Sequence, residues 1–142
     1  LRGYIMAGNI RLEVVTPENT VVSEEAQMVI SPGSMGEFGV LIGHTPFMTT
    51  LKTGVIRYTD ASGTEQFVFV SGGFAEALPD KVTILAESAE KRQDIDLERA
   101  KAAMERAQTR LAEDRSKADI DFVRAHAALE RSILRIRLAE RQ

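Results

Sequence analysis

Six arginines carry the strongest chemical signal in this chain of 142 residues. Arg99, Arg106 and Arg110 stand at offsets 0, +7 and +11, and Arg124, Arg131 and Arg135 repeat those offsets 25 positions later. At about 100° per helical residue each set falls within about 40°, so each helix would carry one narrow guanidinium stripe. A guanidinium is permanently charged, and its forked donors match phosphate and carboxylate oxygens. Arg106–Arg110 and Arg131–Arg135 also place like charges at i, i+4, which costs an isolated helix a few tenths of a kcal/mol. Asp114 lies four residues beyond Arg110 and relieves the first pair, whereas the i±3 and i±4 neighbours of Arg131 and Arg135 include no acid. Such a ladder suits an external anion, either a phosphate or an acidic protein patch. The competing reading is a solvated surface on two amphipathic helices that resemble each other by chance.

Other chemistries find fewer residues. Asp94 with Asp96, and Asp119 with Asp121, stand at i, i+2. That spacing puts the carboxylates on different helix faces, which favours helix caps over a metal site. The two histidines, His44 and His126, are too few for a histidine cluster, and H-E-x-x-H does not occur. V-S-G-G at 70–73 is not the G-x-S-x-G of a seryl hydrolase. The absence of cysteine removes disulfides, thiolate nucleophiles and zinc–thiolate sites together. G-S-M-G-E-F-G-V-L-I-G at 33–43 is glycine-rich but lacks G-K-[ST] and runs into a strand pattern. It reads as tight turns with positive φ at Gly33, Gly36 or Gly39 rather than as a phosphate cradle.

The elements that must hold the arginines come from a change of grammar. All ten glycines and four prolines lie in residues 1–90, and residues 91–142 have neither. A domain boundary is expected near 89–94. The first part alternates apolar and polar residues, as in I-R-L-E-V-V at 10–15, with further strands expected over 21–23, 26–30, 38–42, 54–59, 65–70 and 81–86. S-P-G-S, D-A-S-G and L-P-D-K punctuate them, and D-A-S-G predicts a hairpin with a four-residue loop. Many short strands with turns between them and no intervening helices point to a β-sandwich or barrel over 1–90. In the second part Leu97, Ala100, Met104, Ala107 and Leu111, then Phe122, Ala125, Leu129, Ile133 and Ile136, form two apolar helical stripes. The short polar link near 114–118 predicts an antiparallel hairpin over 91–142. Asp94 or Asp96 is expected to cap the first helix, and Asp119 or Asp121 the second.

With 44% hydrophobic residues the chain can pack a core, and a net charge of −3 argues against a general nucleic-acid binder. No apolar run is long enough to span a bilayer. Residues 1–8 read as a tag or disordered leader, with Met6 as the native start. A comparison of 94–115 with 119–140 finds ten of 22 positions identical, so the arginine ladder belongs to a longer internal repeat.

G-E-F-G-V-L-I-G-H-T-P at 36–46, S-G-G-F-A-E at 71–76, K-V-T-I-L-A-E-S-A-E at 81–90 and I-D-L-E-R-A at 95–100 follow in order. Together they resemble the ε subunit of bacterial F-type ATP synthase, over roughly residues 9–140. The resemblance implies a non-catalytic rotor subunit whose sandwich docks on the γ subunit and the c-ring. Glu37 is then expected near the polar loops of the c-ring, and His44 near γ; otherwise Glu37 is loop surface and His44 a turn residue bonded to backbone. The helical part implies a movable arm that inhibits ATP hydrolysis when extended into the catalytic αβ head. That arm offers Arg124, Arg131, Arg135, Arg137 and Arg141 to acidic patches. The resemblance also implies regulatory ATP binding in the compact form, with no obligatory cofactor and no metal. Ile95, Asp96, Arg99 and Ala100 match the family's I/L-D-x-x-R-A, with Arg106, Arg131 and Arg135 as further phosphate contacts and Glu90 as an upstream acid. Asp96 is the implied adenine contact. The implied location is peripheral, on the cytoplasmic face of the bacterial plasma membrane, without insertion. A free-standing ATP-binding sensor and a small hydrolase built on the glycine-rich loop are the other two readings.

Overall fold

The computed structural model describes residues 8–113 and 119–141. The chain separates into two compact units, residues 1–91 and 92–142. Of the expected leader only Gly8 lies among the described residues.

The first unit is a sandwich of seven strands that closes on itself. The strands are β1 (Ile10–Val15), β2 (Thr20–Gly33), β3 (Gly36–Val40), β4 (Phe47–Asp60), β5 (Glu65–Leu78), β6 (Lys81–Ala86) and β7 (Ala89–Lys91). The hydrogen-bonded order is β1-β6-β5-β4-β2-β3, and β1 pairs with β2 as well, which closes the path. β1 runs parallel to β6 and antiparallel to β2. The three strands of 14 residues let the sheet fold over. β2 pairs β1 through 20–26 and then β3 and β4 through 26–33. β5 pairs β7 through 68–70 and β6 through 73–78. Gly72 and Gly73, both at positive φ, sit at that changeover. A Cβ on Gly73 would clash with the Leu85 carbonyl oxygen, so glycine is required there by space as well as by conformation.

Alternation explains the core. β1 buries Ile10, Leu12 and Val14 and turns Arg11 and Glu13 outward. These meet Val22 and Val29 of β2, Ile56 of β4, Val68 and Val70 of β5, and Val82 and Ile84 of β6. Branched apolar side chains at such positions dominate the stability of a sheet domain. Tyr58 is buried with its hydroxyl donating to Glu24 Oε2 at 2.8 Å. Burial, then that bond and the charges of Glu24 and Asp60, push the phenol above its ordinary range.

The turns were legible in chemistry. D-A-S-G closes the β4–β5 hairpin as expected: Asp60 Oδ1 accepts from Ser62 N (3.0 Å), Ser62 Oγ (2.7 Å) and Thr64 N (2.9 Å), and Oδ2 accepts from Gln66 Nε2 (3.1 Å). The Ser62 hydroxyl leads these donors in holding the Asp60 carboxyl down at about 2. L-P-D-K turns β5 into β6. S-P-G-S behaves differently, since Pro32 and Gly33 lie buried inside β2 and only 34–35 turn. Of Gly33, Gly36 and Gly39, Gly36 alone has positive φ, and the loop runs directly into β3. The expected strands 21–23 and 26–30 form one strand, β2, because a register shift between Ala26 and Met28 breaks the alternation without ending the pairing.

The second unit is a 3-10 turn (Arg92–Asp94) and two helices, α1 (Leu97–Ala112) and α2 (Asp119–Glu140). Asp96 caps α1, its carboxylate accepting from Arg99 N at 3.0 Å. Asp121 lies inside the first turn of α2 rather than at its cap, and the Asp119 side chain and Asp114 fall outside the described residues. The helices pack on each other and the 3-10 turn packs on α2.

Candidate functional site

The helix–helix seam is built from small side chains. α1 buries Ala100 and Ala107, and α2 buries Ala125, Ser132 and Leu138. Ala100 aligns with Ala125 and Ala107 with Ser132 in the internal repeat, so the repeat is a packing repeat: two small residues seven apart on each helix. Ser132 is 1% exposed, and its hydroxyl donates to the Leu129 carbonyl at 2.9 Å, which satisfies it inside its own helix. Leu129, Ile133 and Ile136 are half-buried, and Phe122, expected on the apolar stripe, is 39% exposed. The expected stripe of α1 thus contains both of its buried residues, whereas that of α2 contains Ala125 but misses Ser132 and includes the exposed Phe122.

The same close approach gathers the arginines. Arg106 and Arg110 of α1 and Arg124, Arg131 and Arg135 of α2 line one cleft of about 550 Å³, between walls of alanine and Val123. Five permanent positive charges converge there in a volume typical of small-molecule sites. Among the described residues no carboxylate lies within 4.0 Å of Arg106, Arg110, Arg124 or Arg131, the ion pairs being elsewhere. The cleft can bind an extended anion, and it holds no acid–base pair or nucleophile for chemistry on one.

The expected ATP residues divide into two groups. Arg106, Arg131 and Arg135 line the cleft. Arg99 does not: it is exposed in the first turn of α1, where its backbone N–H is taken by Asp96. Asp96 is engaged as the cap, Ala100 is buried in the seam, and Ile95 is half-buried with its N–H bonded to the Arg92 carbonyl at 3.3 Å. Glu90 is half-buried in β7 of the first unit. Arg110 and Arg124 were outside the expected ATP set, although the 0, +7, +11 ladder had already placed them in the two stripes. Of the expected inhibitory residues, Arg124, Arg137 and Arg141 are exposed and Arg131 and Arg135 are half-buried.

On the sandwich, Glu37 is exposed on β3 with Arg57 Nη2 at 3.6 Å, a surface pair of small energetic weight. His44 sits in the 41–46 loop, its Nδ1 2.6 Å from the Thr45 carbonyl oxygen and its ring 5.0 Å from Phe47. Phe38 packs edge-on against Phe47. Leu41 and Met48, 55% and 60% exposed, flank the loop. Among the described residues no three His, Asp or Glu side chains form a metal cluster, and no helix is long and apolar enough to cross a membrane.

Comparison with known proteins agrees with this division. The beta-sandwich domain of the ATP synthase delta/epsilon chain matches residues 9–92, and the long alpha-helix domain of the same chain matches 93–140. The ATP synthase epsilon chain of Desulfosudis oleivorans is 61% identical over 106 residues, 75% of this chain and 80% of that one. The epsilon chain of Desulfatibacillum aliphaticivorans is 64% identical over 106 residues, 75% of each chain. Among solved structures, a chain of the Euglena gracilis mitochondrial ATP synthase (OSCP/F1/c-ring) superposes with TM-score 0.72 at 25% identity, covering 87% of this chain and 76% of that one. A chain of the Tetrahymena thermophila mitochondrial ATP synthase central stalk/c-ring shares the fold, with TM-score 0.58 at 8% identity over 92% and 96% of the two chains.

Proposed function

We propose, from the premise that this chain belongs to the delta/epsilon chain family of ATP synthase and is a stalk subunit rather than a catalytic one, that it couples rotation and restrains ATP hydrolysis. The sandwich is the coupling platform, with Glu37 directed to the c-ring and the loop carrying His44 directed to γ. The assembly sits peripherally on the cytoplasmic face of the bacterial plasma membrane. The hairpin is the inhibitory arm, which unfolds from its compact form and presents Arg124, Arg131, Arg135, Arg137 and Arg141 to acidic surfaces of the catalytic head. ATP holds the compact form, its phosphates received by Arg106, Arg131 and Arg135.

The observation that carries this reading is the arginine cleft lying over a seam of small side chains. The small seam residues bury little apolar area, so the two forms differ by an amount a ligand can supply. A ligand that binds the compact form alone stabilises it by RT ln(1 + [L]/Kd), about 2.7 kcal/mol at a hundredfold excess over Kd. As ATP falls, that stabilisation is lost and the arm is released.

Calorimetric titration of the full chain with ATP tests the ligand. Saturable binding at millimolar ATP, weakened about tenfold or more by Arg131→Gln, is the expected result. No heat at millimolar ATP would remove the sensor and leave the stalk role standing. Co-purification with γ tests the stalk role separately.

A further inference from the structure

The sandwich exposes large apolar side chains around the start of β4. Met48 of β4 stands opposite Glu76 of β5, so the two share a face, and Leu78 lies two residues beyond Glu76 on that same face. Leu41 opens the loop that Gly43 N ties to the Pro79 carbonyl at 2.6 Å, one residue past Leu78. Met35 belongs to the 34–35 turn, which Ser34 fastens to Thr50, two residues beyond Met48. The Ser34 N–H donates to the Thr50 carbonyl at 2.9 Å, and the two hydroxyls lie 2.7 Å apart. Met35 is 97% exposed, and Leu41, Met48 and Leu78 are exposed with it. Apolar side chains gathered in this way mark a surface that a partner covers. Glu37 and His44, assigned above to the stalk partners, stand in the same stretch of chain.

Two of these four side chains are thioethers, which pack against apolar partners but carry an oxidisable sulfur. An exposed methionine takes one oxygen atom from a hydroperoxide: an S–O bond forms, the O–O bond breaks, the sulfur loses two electrons and the peroxide leaves as water or an alcohol. The sulfoxide is polar, so burying it against an apolar partner costs free energy where the thioether gained it. Met28, on β2 opposite Thr59 near the far end of β4, and Met104, half-buried in α1, lie outside this surface. We propose that Met35 and Met48 are oxidation sites of the free chain, and that their sulfoxides keep it from docking until they are reduced. This rests on the docking role of the sandwich described above. Docking covers both sulfurs, so the chain is sensitive before assembly and protected after it.

The test treats the full chain with hydrogen peroxide, locates the added oxygen by peptide mass spectrometry, and measures rebinding to ATP synthase stripped of this chain. Met35 and Met48 are expected to gain oxygen before Met28 and Met104, and the treated chain to rebind about tenfold more weakly. The double variant Met35→Leu, Met48→Leu keeps the surface apolar without sulfur, and is expected to rebind within about twofold before and after peroxide. The double variant Met35→Gln, Met48→Gln brings the polarity without an oxidant, and is expected to weaken rebinding about tenfold by itself. Circular dichroism confirms that the treated chain and each variant keep their fold. Rebinding of the treated parent chain within about twofold of the untreated one overturns the proposal and leaves the docking role standing. An equal loss for the treated leucine variant places the effect at Met28 or Met104 and overturns it as well. Failure of the untreated chain to rebind removes the docking role, and the proposal with it.

Discussion

The two units are held together by side chains of different size. The sandwich fully buries Phe69, Ile10, Leu12, Ile56 and Ile84, in strands whose registers interlock around a closed path. The hairpin buries Ala100, Ala107, Ala125, Ser132 and Leu138. Each buried methylene contributes roughly 0.8 kcal/mol, so the sandwich is stabilised many times over and the hairpin narrowly. The arginines sharpen the contrast. The ion pairs of the sandwich match opposite charges, Lys81 of β6 with Glu13 of the neighbouring β1 and Arg57 of β4 with Glu37 of β3. The hairpin instead collects five like charges in one cleft. A platform needs the first design, and an arm whose closure depends on a bound anion needs the second.

The largest effect is expected in the platform. Leu12→Ala removes a fully buried side chain of β1, held between β2 and β6, and is expected to cost about 2–5 kcal/mol in denaturant unfolding. A loss below about 1 kcal/mol would break the contrast from the platform side. Ser132→Leu tests the arm. Overfilling the seam is expected to cost about 1–3 kcal/mol and to open the hairpin, while Ser132→Ala stays near neutral. Distances between probes on α1 and α2 would report this, and an unchanged distance in Ser132→Leu would show that the seam is elsewhere.

A smaller difference separates the two repeated aspartates. Asp96→Ala loses the cap of α1, about 1 kcal/mol of hairpin stability, whereas Asp121→Ala, already inside α2, changes it by less than about 0.5 kcal/mol. Thermal melts followed at 222 nm compare them, and equal losses would restore Asp121 as a cap. The smallest effect belongs to Asp60. Its carboxyl is held down at about 2 against an ordinary 3.8, so its contribution is complete above pH 3.8 and fades as pH falls toward 2. Asp60→Asn is expected to be less stable than the parent at pH 6 and to converge with it near pH 2. A constant gap across that range would exclude the linkage.

The alternating strands were the most legible part of the molecule. β1 and β6 coincide with the ranges expected from period-two patterning, because each buries one face and exposes the other. Residues 47–53 and 71–78 were not read as strands, since G-G, T-T and K-T-G carry no alternation and pairing across long β4 and β5 decides their structure. The arginine ladder was visible because helical geometry converts spacing into faces. The seam was legible in α1, where the stripe already held Ala100 and Ala107, and less so in α2, because a search for apolar residues passes over Ser132, which hides its polarity in a bond to Leu129. The convergence of Arg110 and Arg124 with the other three depends on how the two helices rotate against each other, which small seam residues determine and hydropathy does not reveal.

The claim on which the rest depends is that the hairpin restrains hydrolysis while the sandwich suffices for coupling. The direct measurement is ATP hydrolysis by the assembled enzyme carrying either the full chain or the chain ended after residue 91. The truncated assembly is expected to remain intact on purification and to hydrolyse ATP faster, with the difference shrinking as ATP rises. Equal rates for the two assemblies at low ATP would contradict the account.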